Sequence, residues 1–439
     1  MFSAKTIGLR RIGRWAGAAT LMVASWAQAA APDCAPAASA QLPVIDTGLP
    51  VVQIWTVDGA EIWDRENYVD ACMRITDGTD QKYGTGLYYG TLKIRGRGNA
   101  TWWFPKKGYR LKLTDAAAVL DMPAHKDWVL LANYADKTLM RNAVGFELSR
   151  IFGMAWTPRM RFAEFYLNNQ FLGNYQIGEK IEVAPTRVAI TPMKKSDVAA
   201  PAVEGGYLLE VDYTDRLEPA DAYFTTQPGG YNFVLKDPAG ADVQPAQMAY
   251  IAGYTQALEN SIFAGDFNPQ TGVPSRLDVD SMVDYYLVQE ILKNKDAAMG
   301  SSVYLTKDRG GKLAMGPLWD FDIGAGNIDF YPLAQRPEGW YLRNASSWFD
   351  ALMRTPDFKR RVVARWNEVY KPVKNIKKYI GEQEKLLKKS QQANFERWPI
   401  LGTYVWPNQV VTGSYKGEVD WLDEWLKDRI KWMDKHIKD

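Results

Sequence analysis

Histidine is almost absent from this sequence of 439 residues, which contains only His125 and His436. A zinc site with three histidine ligands is therefore impossible, and the H-E-x-x-H motif of metalloproteases does not occur. A Ser-His-Asp triad would have to use one of these two histidines, and no G-x-S-x-G nucleophile elbow accompanies them. The chemistry of the protein must therefore depend on carboxylates, lysines and backbone groups.

A long apolar run is also absent, so the sequence predicts no membrane-spanning helix in the mature chain. Residues 1–29 have instead the three parts of an export signal, namely a basic start, a short apolar stretch and the cleavage pattern Ala27-Gln28-Ala29. We therefore predict a secreted or periplasmic protein. Cleavage would take the net charge from +2 to about −2, and without a basic surface general nucleic-acid binding is not expected.

Cysteine is equally scarce, with only Cys34 and Cys72 in the chain. In an oxidising compartment these two residues could form one disulfide. It would tie the mature N-terminus to the first of the two lobes that are predicted below. Two unpaired thiols are the alternative. The predicted export signal favours the disulfide.

Strand and helix patterns are separated along the chain. Strand-like patterns occur mainly in the first half, at residues 51–57, 87–95, 109–113, 161–167, 171–176 and 205–212. Helical spacing dominates after residue 245, with one earlier helix at 137–152. Residues 214–245 are rich in Pro, Gly and Ala, which predicts loops. This order and the length of the chain predict an α+β protein with two lobes.

The strongest local pattern is P-L-W-D-F-D-I-G at residues 317–324. Asp320 and Asp322 are two residues apart in an apolar frame, so their side chains point to the same side if the segment is extended. Paired carboxylates of this kind bind hard cations such as Mg²⁺. A hairpin end with one capping aspartate is the alternative, and the pattern alone does not decide between them.

A second candidate is Asp296, which follows a predicted helix ending near Lys293 and precedes a short hairpin. An aspartate at such a junction can accept a proton from a substrate hydroxyl. It could equally cap a turn.

A third candidate is the loop G-R-G-N-A-T at residues 96–101, which is followed by Lys106 and Lys107. Backbone N–H groups and cationic side chains in such a loop can bind phosphates. The loop is not a Walker P-loop, because no G-x-x-x-x-G-K-[ST] occurs. A tight turn with a solvated basic face is the alternative. Taken singly, Glu147 reads as an ordinary helix residue and Glu179 as part of a surface ion pair.

The order of these features is more informative than any one of them. A glycine-rich loop, a lysine, a helix with a glutamate, a hairpin, an aspartate and a later aspartate motif follow one another as the parts of a protein kinase do. Asp296 and Asp320 are 24 residues apart, which is compatible with a catalytic loop followed by a metal-binding aspartate. In that arrangement the first lobe binds ATP and the second supplies the base and the metal ligands.

Five segments resemble the spore coat protein H (CotH) kinase family. They are LKIRGRGNATWWFPKKGYRLKL (92–113), DWVLLANYADKTLMRNAVGFELSR (127–150), GNYQIGEKIEV (173–183), GGYLLEVD (205–212) and GPLWDFDIGAGN (316–327). The first resembles the family's I-R-G-N-S-T-W…P-K-K-x-Y motif. The resemblance spans about residues 50–330.

The resemblance implies an atypical, secreted protein kinase with a two-lobed fold, a strand-rich N-terminal lobe and a helical C-terminal lobe. Such a kinase uses ATP and Mg²⁺ or Mn²⁺ to phosphorylate serines of secreted or cell-envelope proteins. Asp296 would be the catalytic-loop aspartate, and Asp320, with Asp322, would hold the metal. The implied divisions are a signal peptide at 1–29, a nucleotide-binding lobe at 30–183 and a lobe with the catalytic and metal-binding aspartates at 184–439.

The resemblance also implies a set of nucleotide-binding residues. Lys107 would approach the ATP phosphates, while Arg95 and Glu179 would help to shape the nucleotide site. Glu147 would be the partner of the lysine, by analogy with ordinary kinases.

Two departures keep other functions open. The glycine-rich loop is one residue longer than R-G-N-S-T, and Ser301 occupies the position where an ordinary kinase has a metal-binding asparagine. A kinase-like binding or adhesion protein without catalysis is therefore one alternative. A carboxylate- and metal-dependent hydrolase that acts on glycans is another.

Overall fold

The computed structural model describes residues 45–79, 82–84 and 87–438. Its first seven strands form a closed barrel in the order β1-β2-β3-β4-β5-β7-β6. These strands are β1 (Val51–Thr56), β2 (Val69–Thr76), β3 (Tyr88–Arg97), β4 (Gly108–Val119), β5 (Met122–Leu131), β6 (Met160–Leu167) and β7 (Gln170–Glu179). The barrel closes because β1 pairs with β6 in parallel.

The barrel interior is filled by alternating residues of its strands, as the pleat requires. On β3 and β4, Leu92 lies opposite Leu113 and Ile94 lies opposite Leu111. Leu111 in turn lies opposite Trp128 of β5, and all of these side chains are at most 1% exposed. This packing fixes the register of β3, so the glycine-rich loop that continues from β3 has a defined position.

A second sheet follows the barrel in the order β12-β11-β8-β10-β9. Its strands are β8 (Tyr207–Asp212), β9 (Tyr223–Thr225), β10 (Asn232–Asp237), β11 (Val303–Lys307) and β12 (Leu313–Met315). The prediction of loops at 214–245 is therefore wrong for β9 and β10. The burial of Phe233, Val234 and Leu235 outweighs the glycines and prolines around β10.

Helices dominate the rest of the described chain. They are α1 (Arg141–Ile151), α2 (Pro245–Phe263), α3 (Val273–Arg276), α4 (Val279–Leu292), α5 (Pro332–Gln335), α6 (Leu342–Ala345), α7 (Ser347–Arg354), α8 (Pro356–Lys374), α9 (Ile376–Leu386), α10 (Lys388–Arg397) and α11 (Tyr415–His436). Together with the two sheets they confirm the predicted α+β class.

Helix α1 lies between two barrel strands in the sequence, yet its apolar residues belong to another core. Val144, Phe146 and Leu148 pack in the large cluster formed with the C-terminal helices, whereas the barrel has a separate interior. The predicted boundary at residue 183 falls between β7 and β8. Helix α1 precedes this boundary in the sequence but packs with the helices that follow it. The two-lobed, kinase-like arrangement stays a prediction.

The predicted export features fall largely outside the described residues. Residues 1–29 and Cys34 belong to that part of the chain. Cys72 lies buried on β2 and is disulfide-bonded. None of the helices described above is long and apolar enough to cross a membrane.

A buried ion pair joins α4 to the last helix. Nη2 of Arg429 lies 2.7 Å from Oε1 of Glu290, and both side chains are fully buried. The Glu290 carboxylate also accepts the backbone N–H groups of Tyr341 and Leu342. Because a carboxylate left alone in such a place would be costly, this pair fixes the segment before α6 against the helical core.

A buried lysine joins the barrel to helix α10. Nζ of Lys106 donates to Oδ1 of Asn394 at 2.8 Å and to the carbonyl oxygen of Asn174. The side chain of Asn174 donates to the Ser390 hydroxyl at 2.9 Å. One end of the barrel therefore depends on polar contacts with a helix from the far end of the chain.

Lys106→Met should weaken the rise of stability with pH. Burial lowers the pKa of Lys106 to about 7, against about 10.4 in an unfolded chain. Between these values the unfolded state binds the extra proton, so the free energy of unfolding rises by up to about 1.4 kcal/mol per pH unit through this group. Between about pH 7 and about pH 10, we expect the free energy of unfolding of the wild type to rise more than that of the variant, as measured by urea unfolding.

Lys93→Met is the matched control, because Lys93 lies on β3 with a side chain that is 56% exposed. It should leave the slope of stability against pH close to that of the wild type. Parallel pH curves for the wild type and Lys106→Met would contradict the prediction.

Candidate active site

The Trp319–Asp322 segment runs against helix α1. The backbone N–H of Phe321 donates to Oδ1 of Asn142 at 2.8 Å. The Phe321 ring meets the Phe146 ring edge-on, with centroids 5.5 Å apart. A Cβ at Gly145 would lie 2.2 Å from the Phe321 ring, so only glycine permits this approach. Helix α1 therefore sets the position of the two aspartates that flank Phe321.

Asp320 and Asp322 are acids in a poorly solvated place. Burial raises the pKa of Asp320, while Arg97 and a hydrogen bond from Ser302 act in the opposite direction. That hydrogen bond joins the Ser302 hydroxyl to Oδ2 of Asp320 at 2.8 Å. Burial, followed by the neighbouring Asp320, raises the pKa of Asp322 to about 7. Two desolvated carboxylates of this kind are stabilised as anions by a bound cation.

The loop that carries Asp296 is tied to the same segment. Helix α4 ends at Leu292, and its C-cap residue Lys293 has the left-handed conformation, with φ of 44°, so that the chain turns there. Nδ2 of Asn294 donates to the carbonyl oxygen of Asp320 at 2.8 Å. The carbonyl oxygen of Asp296 accepts the backbone N–H groups of Gly300 and Ser301, at 2.9 and 3.0 Å. The two predicted aspartate motifs are therefore held together by a direct hydrogen bond.

The Asp296 carboxylate is held by two neighbours and remains accessible. Its Oδ1 accepts a hydrogen bond from the Tyr213 hydroxyl at 3.1 Å and lies 3.1 Å from Nζ of Lys295. Lys295 also donates to the Tyr213 hydroxyl at 2.6 Å. The Asp296 side chain is 18% exposed, so a substrate hydroxyl can reach it.

The serine at the expected asparagine position has another role. Ser301 is 2% exposed, and its hydroxyl accepts a hydrogen bond from Arg216. Its neighbour Ser302 lines the cleft and contacts Asp320. The asparagine beside the motif is Asn294, whose Oδ1 is buried and has no hydrogen-bond partner within the described residues.

The glycine-rich loop is shaped by close contacts. A Cβ at Gly96 would lie 2.4 Å from the Trp102 ring, and Gly98 has φ of 105°, a conformation that favours glycine. Between them, the guanidinium of Arg97 lies over the Trp319 ring, 5.1 Å from its centroid. Sequence reasoning missed Arg97, although its place between two constrained glycines was a usable signal.

The structure does not bring Lys107 to this cleft. Its ammonium donates to the carbonyl oxygens of Trp102 and Phe104, at 2.6 and 2.9 Å, and so caps the loop from behind. The ammonium of Lys106 is hydrogen-bonded to Asn394 of helix α10. Phosphate contact by the lysine pair is therefore not supported by the observed geometry.

The predicted glutamates also lie outside the cleft lining. Glu147 faces away on α1 and pairs with Arg150 at 3.0 Å, because the other side of the helix packs on Phe321. Glu179 is fully buried and accepts three hydrogen bonds from Arg159. It anchors the segment that continues into the cleft at residue 180.

Arg95, in contrast, lines the cleft. Its guanidinium donates to the carbonyl oxygens of Arg65 and Glu66 and lies over the Tyr68 ring, 4.9 Å from its centroid. Arg95 therefore supports the loop wall from a fixed position.

These elements enclose a cleft of about 710 Å³ between the barrel and the second sheet. One part of the lining is apolar and includes Val129, Ile181 and Leu208. The rest carries eight cationic and eight acidic side chains, so the cleft has no excess of positive charge. A polyphosphate would therefore need added cations, beyond the protein's own, for a favourable fit.

Several cations of the lining escaped sequence reasoning. Lys236 lies on β10, where loops were predicted, and its ammonium is 3.0 Å from Oε2 of Glu210. Arg110 donates to Asp127 at 2.9 Å, and Lys295 is paired with Asp296. No local motif marks Lys236 or Arg110, because their partners Glu210 and Asp127 come from other strands.

A separate group of possible metal ligands consists of His125, Asp127 and Glu182, whose ligand atoms lie within 4.8 Å of one another. Nδ1 of His125 already accepts the backbone N–H of Asp127 at 3.0 Å. Cations also occupy the carboxylates, since Arg187 lies 3.5 Å from Glu182. The geometry therefore favours an ion-pair network here.

The family model described as CotH kinase protein matches residues 94–433, which is most of the chain. The chain belongs to the CotH kinase family. Membership implies a kinase-like enzyme and agrees with the resemblance found in the five sequence segments. The matched range includes the glycine-rich loop, the Asp296 loop and the Trp319–Asp322 segment. No curated protein matches the chain.

Gly145→Ala should damage the site through packing. The new methyl group would lie within 2.2 Å of the Phe321 ring, and such overpacking costs about 1–3 kcal/mol. The ring must move, and Asp320 and Asp322 move with it. We expect a lower urea midpoint together with weaker binding of Mn²⁺, measured by calorimetry.

Gly381→Ala is the matched control, since Gly381 lies on α9 and a Cβ there would have no neighbour within 4 Å. The alanine should stabilise the protein by about 0.5–1 kcal/mol through its higher helix propensity. Equal effects of the two substitutions would contradict the role given to Gly145.

Proposed function

We propose that the chain is an exported, ATP-dependent protein kinase that phosphorylates serines of secreted or cell-envelope proteins. The observation that carries the proposal is the meeting of Asp296, Asp320 and Asp322 in one cleft that is also lined by the glycine-rich loop. The barrel would form the nucleotide-binding lobe, and the second sheet with the helices would form the other lobe. Transfer to serine follows from the family resemblance.

The nucleotide would lie along the cleft. The apolar part around Val129, Ile181 and Leu208 suits the base. Arg97 and the backbone N–H groups of the adjacent loop would contact the phosphates. Arg97 takes over the role that the sequence assigned to Lys107, because its guanidinium faces the aspartate segment.

Asp320 and Asp322 fit a hard divalent cation, Mg²⁺ or Mn²⁺. Their donors are oxygen atoms, and burial opposes the ionisation of both carboxyl groups and raises their pKa, which a bound cation would offset. A cation bound there would neutralise charge on the ATP phosphates. The residues themselves contribute position, since Asn142 and Asn294 hold the segment from two sides.

Asp296 would orient the acceptor. The serine oxygen forms a bond to the γ-phosphorus as the bond from that phosphorus to the β–γ bridging oxygen breaks, and ADP leaves. The hydroxyl proton passes to the Asp296 carboxylate. Lys295 and Tyr213 hold the carboxylate in place.

Export is part of the proposal. The disulfide at Cys72 supports an oxidising compartment, and the N-terminal sequence has the pattern of an export signal. The protein would then meet its substrates in the periplasm or outside the cell.

Asp296→Asn and Asp320→Asn should each reduce phosphate transfer by about 10²-fold or more, because each removes a charge that acts on the reacting groups. The two should differ in binding. Asp296→Asn should keep Mg²⁺-dependent ATP binding, whereas Asp320→Asn should lose it. Labelled ATP with the mature protein gives the transfer rate, and calorimetry gives the affinity.

Asp70→Asn, at an exposed acid on β2, is the control and should retain full transfer. Full activity in either Asp296→Asn or Asp320→Asn would refute the assignment of the site.

Arg97→Gln should raise the KM for ATP about tenfold, because it removes a charged contact to phosphate. Lys107→Gln should leave that KM nearly unchanged and lower stability by about 1–3 kcal/mol, since it removes hydrogen bonds to two carbonyls. Steady-state kinetics and urea unfolding separate the two effects. The reverse pattern would restore Lys107 as the phosphate contact.

A further inference from the structure

A second groove of about 380 Å³ lies beside the catalytic cleft. Lys295 lines both cavities, whereas Tyr213 lines only the groove and Asp296 lines only the cleft. These three side chains are joined by hydrogen bonds of 2.6–3.1 Å. The partition between the cavities therefore consists of the groups that hold the proposed base.

The far wall of the groove is held rigidly by a buried carboxylate. Glu259 of α2 is fully buried and accepts hydrogen bonds from the Thr226 hydroxyl, the Gly229 N–H and Nε1 of Trp348, at 2.8, 3.0 and 2.6 Å. The loop that ends at Tyr231 is thus fixed on the helical core. The groove is a built feature of the fold.

The near wall is tied to the catalytic loop itself. The Tyr341 hydroxyl donates to the carbonyl oxygen of Lys295, and the Tyr331 and Tyr341 rings meet edge-on with centroids 5.7 Å apart. Gly300 permits the close approach of Tyr213 to the same loop, because a Cβ there would lie 2.3 Å from the Tyr213 hydroxyl. A ligand in the groove therefore lies directly against the loop of Asp296.

The chemistry of the lining does not favour a second nucleotide. The charged side chains among the described lining residues are Asp212 and Lys295. Asp212 lies 3.8 Å from Arg216, and Lys295 is bonded to Asp296. Four tyrosines and three glycines make up much of the remainder. Aromatic walls with exposed backbone suit an extended peptide that carries a large apolar side chain.

We propose that this groove binds the acceptor segment of the protein substrate and takes an aromatic or large aliphatic side chain next to the serine. The inference rests on the proposed kinase function. In-line transfer requires the acceptor oxygen to approach the γ-phosphorus opposite the leaving ADP. The groove reaches the Asp296 loop from outside the nucleotide cleft, so a peptide seated there can present its hydroxyl without displacing ATP.

Ala345→Phe tests the groove, because Ala345 is a half-buried lining residue at the end of α6 and a ring there fills the cavity. The probes are short serine peptides in which a residue flanking the serine is Phe, Leu, Gly, Lys or Glu. We expect the wild type to favour Phe and Leu about tenfold in kcat/KM. Ala345→Phe should remove this preference and raise the peptide KM about tenfold, with the ATP KM unchanged.

Ala118→Phe is the matched control, since it adds the same ring at an exposed position of β4 outside both cavities. It should keep the peptide preference. Tyr231→Ala, which removes a ring from the groove wall, should also weaken the preference and covers the case in which Ala345→Phe does not fold. Wild-type indifference to the flanking residue, or an unchanged preference in a folded groove variant, would overturn the proposal.

A binding measurement separates this inference from the kinase assignment. It uses the serine peptide with a flanking Phe, carrying a fluorescent label, in the presence of a non-hydrolysable ATP analogue. Weaker binding by Ala345→Phe without any phosphate transfer by the wild type would support the groove and refute the kinase. Transfer by the wild type, with equal peptide binding by the two proteins, would support the kinase and refute the groove.

Discussion

The contact between helix α1 and Phe321 is the constraint on which the candidate site depends. A glycine at position 145 lets the ring approach the helix backbone, and Asn142 fixes the backbone on the same side. With Phe321 immobilised, the carboxylates on either side of it must face the cleft. The hydrogen bond from Asn294 then carries this fixed position over to the loop of Asp296. One helix from the first half of the chain thus orders chemistry supplied by the second half.

Several charged side chains of the cleft are held in place by ion pairs within the protein. Arg110, Lys236 and Lys295 each have a carboxylate partner within about hydrogen-bond distance, so they hold their positions before any ligand arrives. Asp322 is the exception, since burial and, after it, the neighbouring acids oppose its ionisation. Fixed charges of this kind need little reorganisation when new charge enters the site. Asp320 and Asp322, whose ionisation burial opposes, lie where a metal cation would bind.

The candidate residues that the sequence marked lie in short, unusual segments. The structure places Asp296, Asp320, Asp322 and Arg95 in the lining of one cleft, although burial leaves Asp320 and Asp322 poorly solvated there. The position of Lys107 could not be derived in the same way. Its partners are carbonyl groups of a loop whose path depends on tight glycine contacts, and nothing in a pair of adjacent lysines shows which carbonyl each will meet.

Glu147 and Lys236 show two further limits of reasoning from sequence. The face of α1 that turns inward is chosen by Phe321, far along the chain, and Glu147 lies on the other face. Lys236 belongs to a strand surrounded by glycine and proline, which hides its alternation. The α+β class was accessible, because it needs only the separation of strand and helix patterns. Pairings between distant segments were not.

The contact between Lys106 and Asn394 also constrains the order in which the chain can fold. The two residues are 288 positions apart, and closing so long a loop slows the formation of native contacts. During synthesis the barrel strands emerge early, but the ammonium at the barrel end has no partner on α10 until almost the whole chain exists. Completion of the barrel end is therefore a late folding event. A fragment that stops after the barrel would leave this polar end without its cover.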